Sequence, residues 1–243
     1  MERNFLDLFK CKKPVFGMLH LKGDTNEEVL ERAKGEISIY KENGVDAIIV
    51  ENYYGNYYQM EMVLEYLKNS NLDIIYGVNC LNNDAMGFDL ANRYDASFVQ
   101  FDSVVGHVKP RDEYTYEAFI NKYRKECKAF ILGGVRFKYQ PCLSEKSLEE
   151  DLKIAMTRCD AIVVTQDATG QETSMDKIRE FRSAIGDFPL VVGAGITTEN
   201  CAEQFNVVDA AIVGSYFKDT YKDTGDVEAS HVKRLIDEVN KIR

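Results

Sequence analysis

Three residues in this chain have types and positions suited to moving a proton at carbon: Glu51, Asp102 and Lys138. Glu51 ends the apolar run Val45-Asp46-Ala47-Ile48-Ile49-Val50, Asp102 ends Ser97-Phe98-Val99-Gln100-Phe101, and Lys138 closes the run from Ala129 to Phe137. Two carboxylates serve as base and acid when burial and neighbours push their pKa values apart. An ammonium beside them orients a substrate oxyanion; Schiff-base chemistry would also need a desolvated amine. The purely structural alternative is an ion pair of Glu51 with Lys138 or Arg136, since ion pairs perturb acids as well. His20, Asn79, Asp84, Arg136 and Thr165 stand at or just beyond the ends of apolar runs and are the candidate substrate-binding groups. His20 suits either acid/base work or a hydrogen-bonded structural place, and Asp84 is equally placed to cap the following helix. Glu51, Asp84 and Asp102 could gather a divalent cation, but carboxylate spacing alone does not define a metal site and none is assigned.

A second group of residues has the character of an anion cradle. Leu190-Val191-Val192-Gly193-Ala194-Gly195 and Ala211-Ile212-Val213-Gly214-Ser215 are apolar runs that stop at glycine, and Thr169-Gly170 follows a third run. Glycine lets backbone N–H groups approach an anion with no Cβ in the way. Thr169, Gly170, Gly193, Gly195, Gly214 and Ser215 are therefore the candidate phosphate-binding residues; the alternative is that the glycines only permit tight turns. The same cradle would accept the phosphate of a flavin mononucleotide, a minority reading, and no cofactor is assigned.

These groups need a scaffold that delivers strand ends to one place. Eight short apolar runs, starting near Pro14, Val45, Asp73, Ser97, Ala129, Ala161, Leu190 and Ala211, alternate with helical patterns. Thr25 with Glu28, and Ser147 with Glu150, have capping-box spacing. Val232, Leu235, Ile236, Val239 and Ile242 share one face of a final helix. Strand–helix alternation implies parallel strands. Eight units in 243 residues, with no G-x-G-x-x-G after the first strand, predict one (β/α)8 TIM barrel over residues 1–243 rather than an open doubly wound sheet. Its active site belongs at the C-terminal strand ends, with phosphate at the last two loops. Residues 1–12, with Phe5, Leu6, Leu8 and Phe9, suit a plug at the opposite end. The longest insertion lies between Asp102 and Val135, where His107 reads as incidental.

Composition narrows the partners. The net charge of −10 and the lack of a basic block argue against nucleic acid. No apolar run reaches the ~18–20 residues of a membrane span, and the acidic N-terminal residues do not suit a signal peptide, so a cytoplasmic location is expected. Six cysteines form no C-x-x-C pair and read as reduced, mostly buried thiols. Tyr53, Tyr54, Tyr57 and Tyr58 crowd one loop, which suits ligand stacking, a lid or a contact between copies in a homo-oligomer.

The chain also resembles the BtpA/SgcQ family. The resemblance rests on Lys13 to Leu21, Gly44 to Asn52, Gly77 to Ala85, Asp160 to Thr165 with Thr169-Gly170, the paired glycine runs, and Val213-Gly214-Ser215-Tyr216-Phe217-Lys218. It implies a phosphate-binding TIM barrel similar to phosphoribosylanthranilate isomerase and the tryptophan synthase α-subunit. One cyanobacterial branch is linked to photosystem I biogenesis, and others look like components of carbohydrate-utilisation clusters. Two positions depart from the family pattern: Gly134 and Arg136 stand where an acidic residue and a histidine are expected, and Gln100-Phe101-Asp102 replaces an Arg-Val-Asn run. The resulting expectation is isomerase, epimerase or lyase-type chemistry on a phosphorylated sugar or similar metabolite. The alternative is a non-catalytic biogenesis factor.

Overall fold

β-Branched and aromatic residues in short runs close into a barrel when each run is followed by a helix that covers its outer face. A computed structural model describes residues 4–105, 112–143 and 145–243, and it shows that outcome. The strands are β1 (Val15–Leu19), β2 (Ala47–Glu51), β3 (Ile75–Asn79), β4 (Phe98–Phe101), β5 (Phe130–Gly134), β6 (Ala161–Val164), β7 (Leu190–Val192) and β8 (Ala210–Val213). The helices between and after them are α1 (Asn26–Glu42), α2 (Tyr57–Asn69), α3 (Asp84–Tyr94), α4 (Glu113–Glu126), α5 (Leu148–Met156), α6 (Met175–Ile185), α7 (Cys201–Phe205) and α8 (Ala229–Val239). All neighbouring strands pair parallel, and β1 pairs with β8 to close the ring.

Two apolar layers hold the barrel. Phe16, Met18, Ala47, Ile49, Phe98, Leu132, Val163, Val191 and Ile212 fill its interior. The alternate strand residues, such as Ile48, Val50, Val99 and Ile131, face outward onto the helices. A single-turn 3₁₀ helix at Phe5–Leu8 stoppers the N-terminal end. Phe5 is fully buried, with Phe9, Phe16, Phe98 and Phe130 rings 5.5–6.0 Å away in edge-on contact. Edge-to-face pairs of this kind each add ~0.5–1.5 kcal/mol beyond area burial.

Both expected capping boxes form, at Thr25/Glu28 and Ser147/Glu150. Several local expectations are corrected. The fifth run leaves the sheet after Gly134, because Arg136 and Tyr139 adopt left-handed backbone (φ 48° and 59°); Arg136 and Lys138 therefore sit on a loop, not on a strand. Asn83, not Asp84, caps α3. The helix-start signal in Thr197-Thr198-Glu199-Asn200 is answered late: helix α7 starts only at Cys201, because Asn200 ties back to the Gly195 carbonyl and the Thr197 N–H instead of capping. Ile242 lies beyond α8 and is 36% exposed. Four cysteines are buried, but Cys142 is exposed and Cys11 partly so; all are free. His107 lies outside the described residues.

Candidate active site at the C-terminal end of the barrel

Strand alternation selects which side chains enter the barrel. After Phe16 and Met18 the next inward position on the first strand is His20; after Ala47 and Ile49 it is Glu51; after Ile75 and Gly77 it is Asn79. On β4 the inward series is Phe98, Gln100 and then Asp102. Glu51 and Asn79 are direct register partners. The polar ring is thus the top layer of an interior that is otherwise apolar.

These groups form one chain of contacts. Asn79 Nδ2 donates to Glu51 Oε1 at 2.7 Å and reaches Asp102 Oδ1 at 3.4 Å. Gln100 Nε2 donates to the same Asp102 oxygen at 3.3 Å. His20 Nε2 stands 3.6 Å from Glu51 Oε2. Gly134 permits this arrangement, since a Cβ there would lie 2.4 Å from the Asp102 carbonyl oxygen.

Burial sets the proton affinities. Glu51 is 5% exposed, and desolvation pushes its pKa up to about 7. The Lys138 charge and the Asn79 hydrogen bond oppose that rise, and Asp102 adds to it. Asp102 is also raised, again mainly by desolvation, against the Gln100 bond and the Lys138 charge. His20 is pushed down to about 3 by burial and then by the Lys218 charge, although the nearby Asp223 backbone favours its charged form. His20 therefore faces Glu51 as a neutral ring, and their contact is not an ion pair.

Glu51 shares a cavity of about 370 Å³ with His20, Gln100, Lys138, Thr169, Gly170, Gly193, Gly195, Gly214 and Ser215. The last three loops converge: a Cβ on Gly170 would stand 3.1 Å from Ser215 Oγ. Gly195 has φ +73°, and a Cβ there would come within 2.2 Å of Glu172 Cα, so only glycine fits that crossing. Two of the expected N–H donors are already engaged. The Gly193 N–H donates to the Val164 carbonyl, and the Thr169 N–H donates to the Tyr139 hydroxyl at 2.9 Å.

Other sequence candidates face elsewhere, although Asn79 and Asp102 keep their contacts with Glu51 and Gln100. Asn79, Asp84 and Asp102 line an adjoining cavity of about 650 Å³, where Tyr116 O–H donates to Asp84 at 2.9 Å. Arg136 points away from the mouth to Asp151 and the Lys146 carbonyl, and it lines a separate hollow. Thr165 is fully buried and accepts from the Lys138 N–H at 2.8 Å, which fixes the loop that carries the lysine. The structural alternative for Glu51 does not form: neither Lys138 nor Arg136 pairs with it. Among the described residues no group of three or more His, Cys, Asp or Glu side chains is gathered to hold a metal ion, and no helix is long and apolar enough to cross a membrane.

Sequence reading missed Gln100 and Arg234. Strand alternation two residues before Asp102 was the available signal for Gln100. Arg234 comes from α8 to the cavity rim, with its Nη2 3.2 Å from the Tyr221 hydroxyl; one turn of a helix far along the chain gave no local signal. Lys218, part of the last motif, turns outward to a buried pair with Glu36 at 3.2 Å, although it is only 1% exposed.

A closed parallel barrel with a polar ring and glycine-rich loops at its C-terminal end defines a (β/α)8 barrel. The sequence profile of the BtpA family matches residues 11–241, and the chain belongs to that family. A protein of Methanocaldococcus jannaschii is 24% identical, over 98% of this chain and 99% of its own. The photosystem I biogenesis protein BtpA of Synechocystis is 25% identical, over 86% of this chain and 82% of its own. Phosphoribosyl anthranilate isomerase from Thermus thermophilus has the same fold, with a TM-score of 0.64 at 10% identity, over 95% of this chain and all of that one.

Proposed function

We propose that the chain is an enzyme that holds a phosphorylated sugar or similar small metabolite and moves a proton on it, in isomerase, epimerase or lyase-type chemistry. The observation that carries this reading is that Glu51 and the glycine loops after β6, β7 and β8 line one cavity. The phosphate is held by main-chain N–H groups of Gly170, Gly195, Gly214 and Ser215 and by the Ser215 hydroxyl, with Arg234 supplying charge at the rim. Backbone donors suit a dianion, because they are fixed in place and need no side-chain ordering.

The reacting carbon then lies toward Glu51. An acid with a pKa of about 7 is well matched to taking and returning a proton at neutral pH. The C–H proton passes to Glu51, the electron pair moves onto an adjacent carbonyl oxygen, and Lys138 stabilises that oxyanion. Asp102 is the second carboxyl, tied to Glu51 through Asn79, and returns a proton at the neighbouring atom. Neutral His20 contributes a hydrogen bond and no charge.

Calorimetric titration with inorganic phosphate and a panel of sugar phosphates tests the reading. Binding in the wild type that is lost in Ser215→Asp supports it, since the added carboxylate repels the phosphate. Absence of binding to every member, with Ser215→Asp identical to wild type, overturns it. The exposed tyrosines around the mouth, Tyr54, Tyr58, Tyr139 and Tyr221, favour a second reading as a non-catalytic assembly factor. A stable partner in a pulldown, with no turnover on the same panel, is its signature.

A further inference from the structure

Gln100 occupies the inward position of β4 between Phe98 and Asp102 and is 4% exposed. A primary amide has two donors and an acceptor with two lone pairs. Here Nε2 donates to Asp102 Oδ1 at 3.3 Å, while Oε1 is buried with no hydrogen-bond partner. With Asp102 ionised, turning the amide would set Oε1 against a carboxylate oxygen, acceptor against acceptor, so the orientation with Nε2 toward Asp102 is the paired one. A buried acceptor without a donor is costly and rare in folded proteins. Gln100 lines the same cavity as Glu51 and the glycine loops, and no donor that shares the cavity, His20 and Lys138 included, bonds its Oε1.

We propose that Gln100 is a specificity-determining residue of this site: its side-chain carbonyl accepts a hydrogen bond from an O–H or N–H borne by the ligand. This rests on the phosphate-binding reading given above and goes further, because it requires the phosphorylated ligand to carry a hydroxyl or amine near the carbon that faces Glu51. A ligand with only hydrocarbon there leaves Oε1 unsatisfied. Asp102 is part of the device, since it holds the amide with its carbonyl available to the ligand.

The test is calorimetry on the full chain with three probes: inorganic phosphate, n-pentyl phosphate and D-ribose 5-phosphate. The two esters carry the same phosphate, and only one bears hydroxyls. The wild type is expected to prefer the ribose ester by about tenfold or more, the scale of one hydrogen bond. In Gln100→Met, which keeps the side-chain length and removes the amide, the preference should fall to about twofold or less, with inorganic phosphate binding unchanged. Gln100→Asn, which withdraws the carbonyl by one methylene, is expected to behave alike and serves if the methionine variant does not fold. A preference that survives both substitutions overturns the inference, as does a wild type that binds the two esters equally. If none of the three probes binds, the phosphate reading itself fails and Gln100 loses its assignment with it; equal binding of the two esters leaves the phosphate reading standing.

Discussion

On the β1–β4 side of the barrel mouth the surface consists of side chains that titrate or polarise: His20, Glu51, Asn79, Gln100 and Asp102. On the β6–β8 side glycines expose main chain, rimmed by Thr169, Thr197, Ser215 and Arg234. The first side is tuned by burial, which lifts the Glu51 pKa to about 7 and drops that of His20 to about 3. The second is tuned by shape: a Cβ at Gly195 would lie 2.2 Å from Glu172 Cα. On the proposed function, the contrast separates recognition from chemistry, with a rigid, glycine-rich wall for the anion and a titratable wall for the reacting carbon. Substitutions on one side should therefore leave the other side's property intact.

The largest expected effect is on turnover. Glu51→Gln should lower kcat by about 10²- to 10⁴-fold, the usual contribution of a positioned general base, while calorimetry finds inorganic phosphate bound as tightly as before. If phosphate affinity collapses as well, the two halves are not separable. Next comes shape. Gly195→Val should destabilise the fold by roughly 3 kcal/mol or more, combining left-handed backbone strain with overpacking, as read from urea unfolding. Gly35→Ala, where an added Cβ meets nothing within 4 Å, is the control and should stabilise helix α1 by about 1 kcal/mol.

A pH series sharpens the comparison from the other side. The Glu51 carboxyl has a folded pKa of about 7 against an ordinary 4.5, so the folded state holds its proton more tightly than the unfolded one. That contribution to stability is fully present below about pH 4.5 and is lost as pH rises to about 7. At ~1.4 kcal/mol per pKa unit the loss is roughly 3 kcal/mol. Wild type and Glu51→Gln should therefore converge in stability in acid, and the variant should be the more stable at pH 8, by thermal melts across the series. Parallel curves at every pH would mean that Glu51 is not desolvated. The smallest effect belongs to the rim: Arg234→Ala should weaken inorganic phosphate binding by about three- to tenfold, and less so at high salt, because the charge is solvent-exposed.

Most of the scaffold was legible in the sequence, because its signals are local. Capping at Thr25 and Ser147, the apolar strand bodies and the buried stripe of α8 each depend on neighbours a few residues apart. The barrel ring at Glu51 and Asn79 was legible too, since alternation carries an inward face one step past the strand end. The loop after β5 was not. Nothing local in Gly134 to Tyr139 announces that Arg136 turns left-handed and swings out to Asp151, a residue 15 positions on. Thr165 was named for a hydroxyl at a strand end and Thr169 for the anion cradle, yet the Lys138 N–H occupies the first hydroxyl and the Tyr139 hydroxyl takes the Thr169 N–H. Arg234 was missed for the same reason, since its significance comes from what it faces across the cavity, whereas Gln100 had a local signal in the alternation that leads to Asp102.

The phenylalanine stopper at Phe5 has a kinetic meaning. Among the described residues, five interlocked rings fill the N-terminal end of the barrel, and the cavity opens at the mouth. On the proposed function, incoming and outgoing ligands share that mouth. On the same proposal, a product that keeps the phosphate competes with the next substrate for the same seat, and turnover should slow as product accumulates.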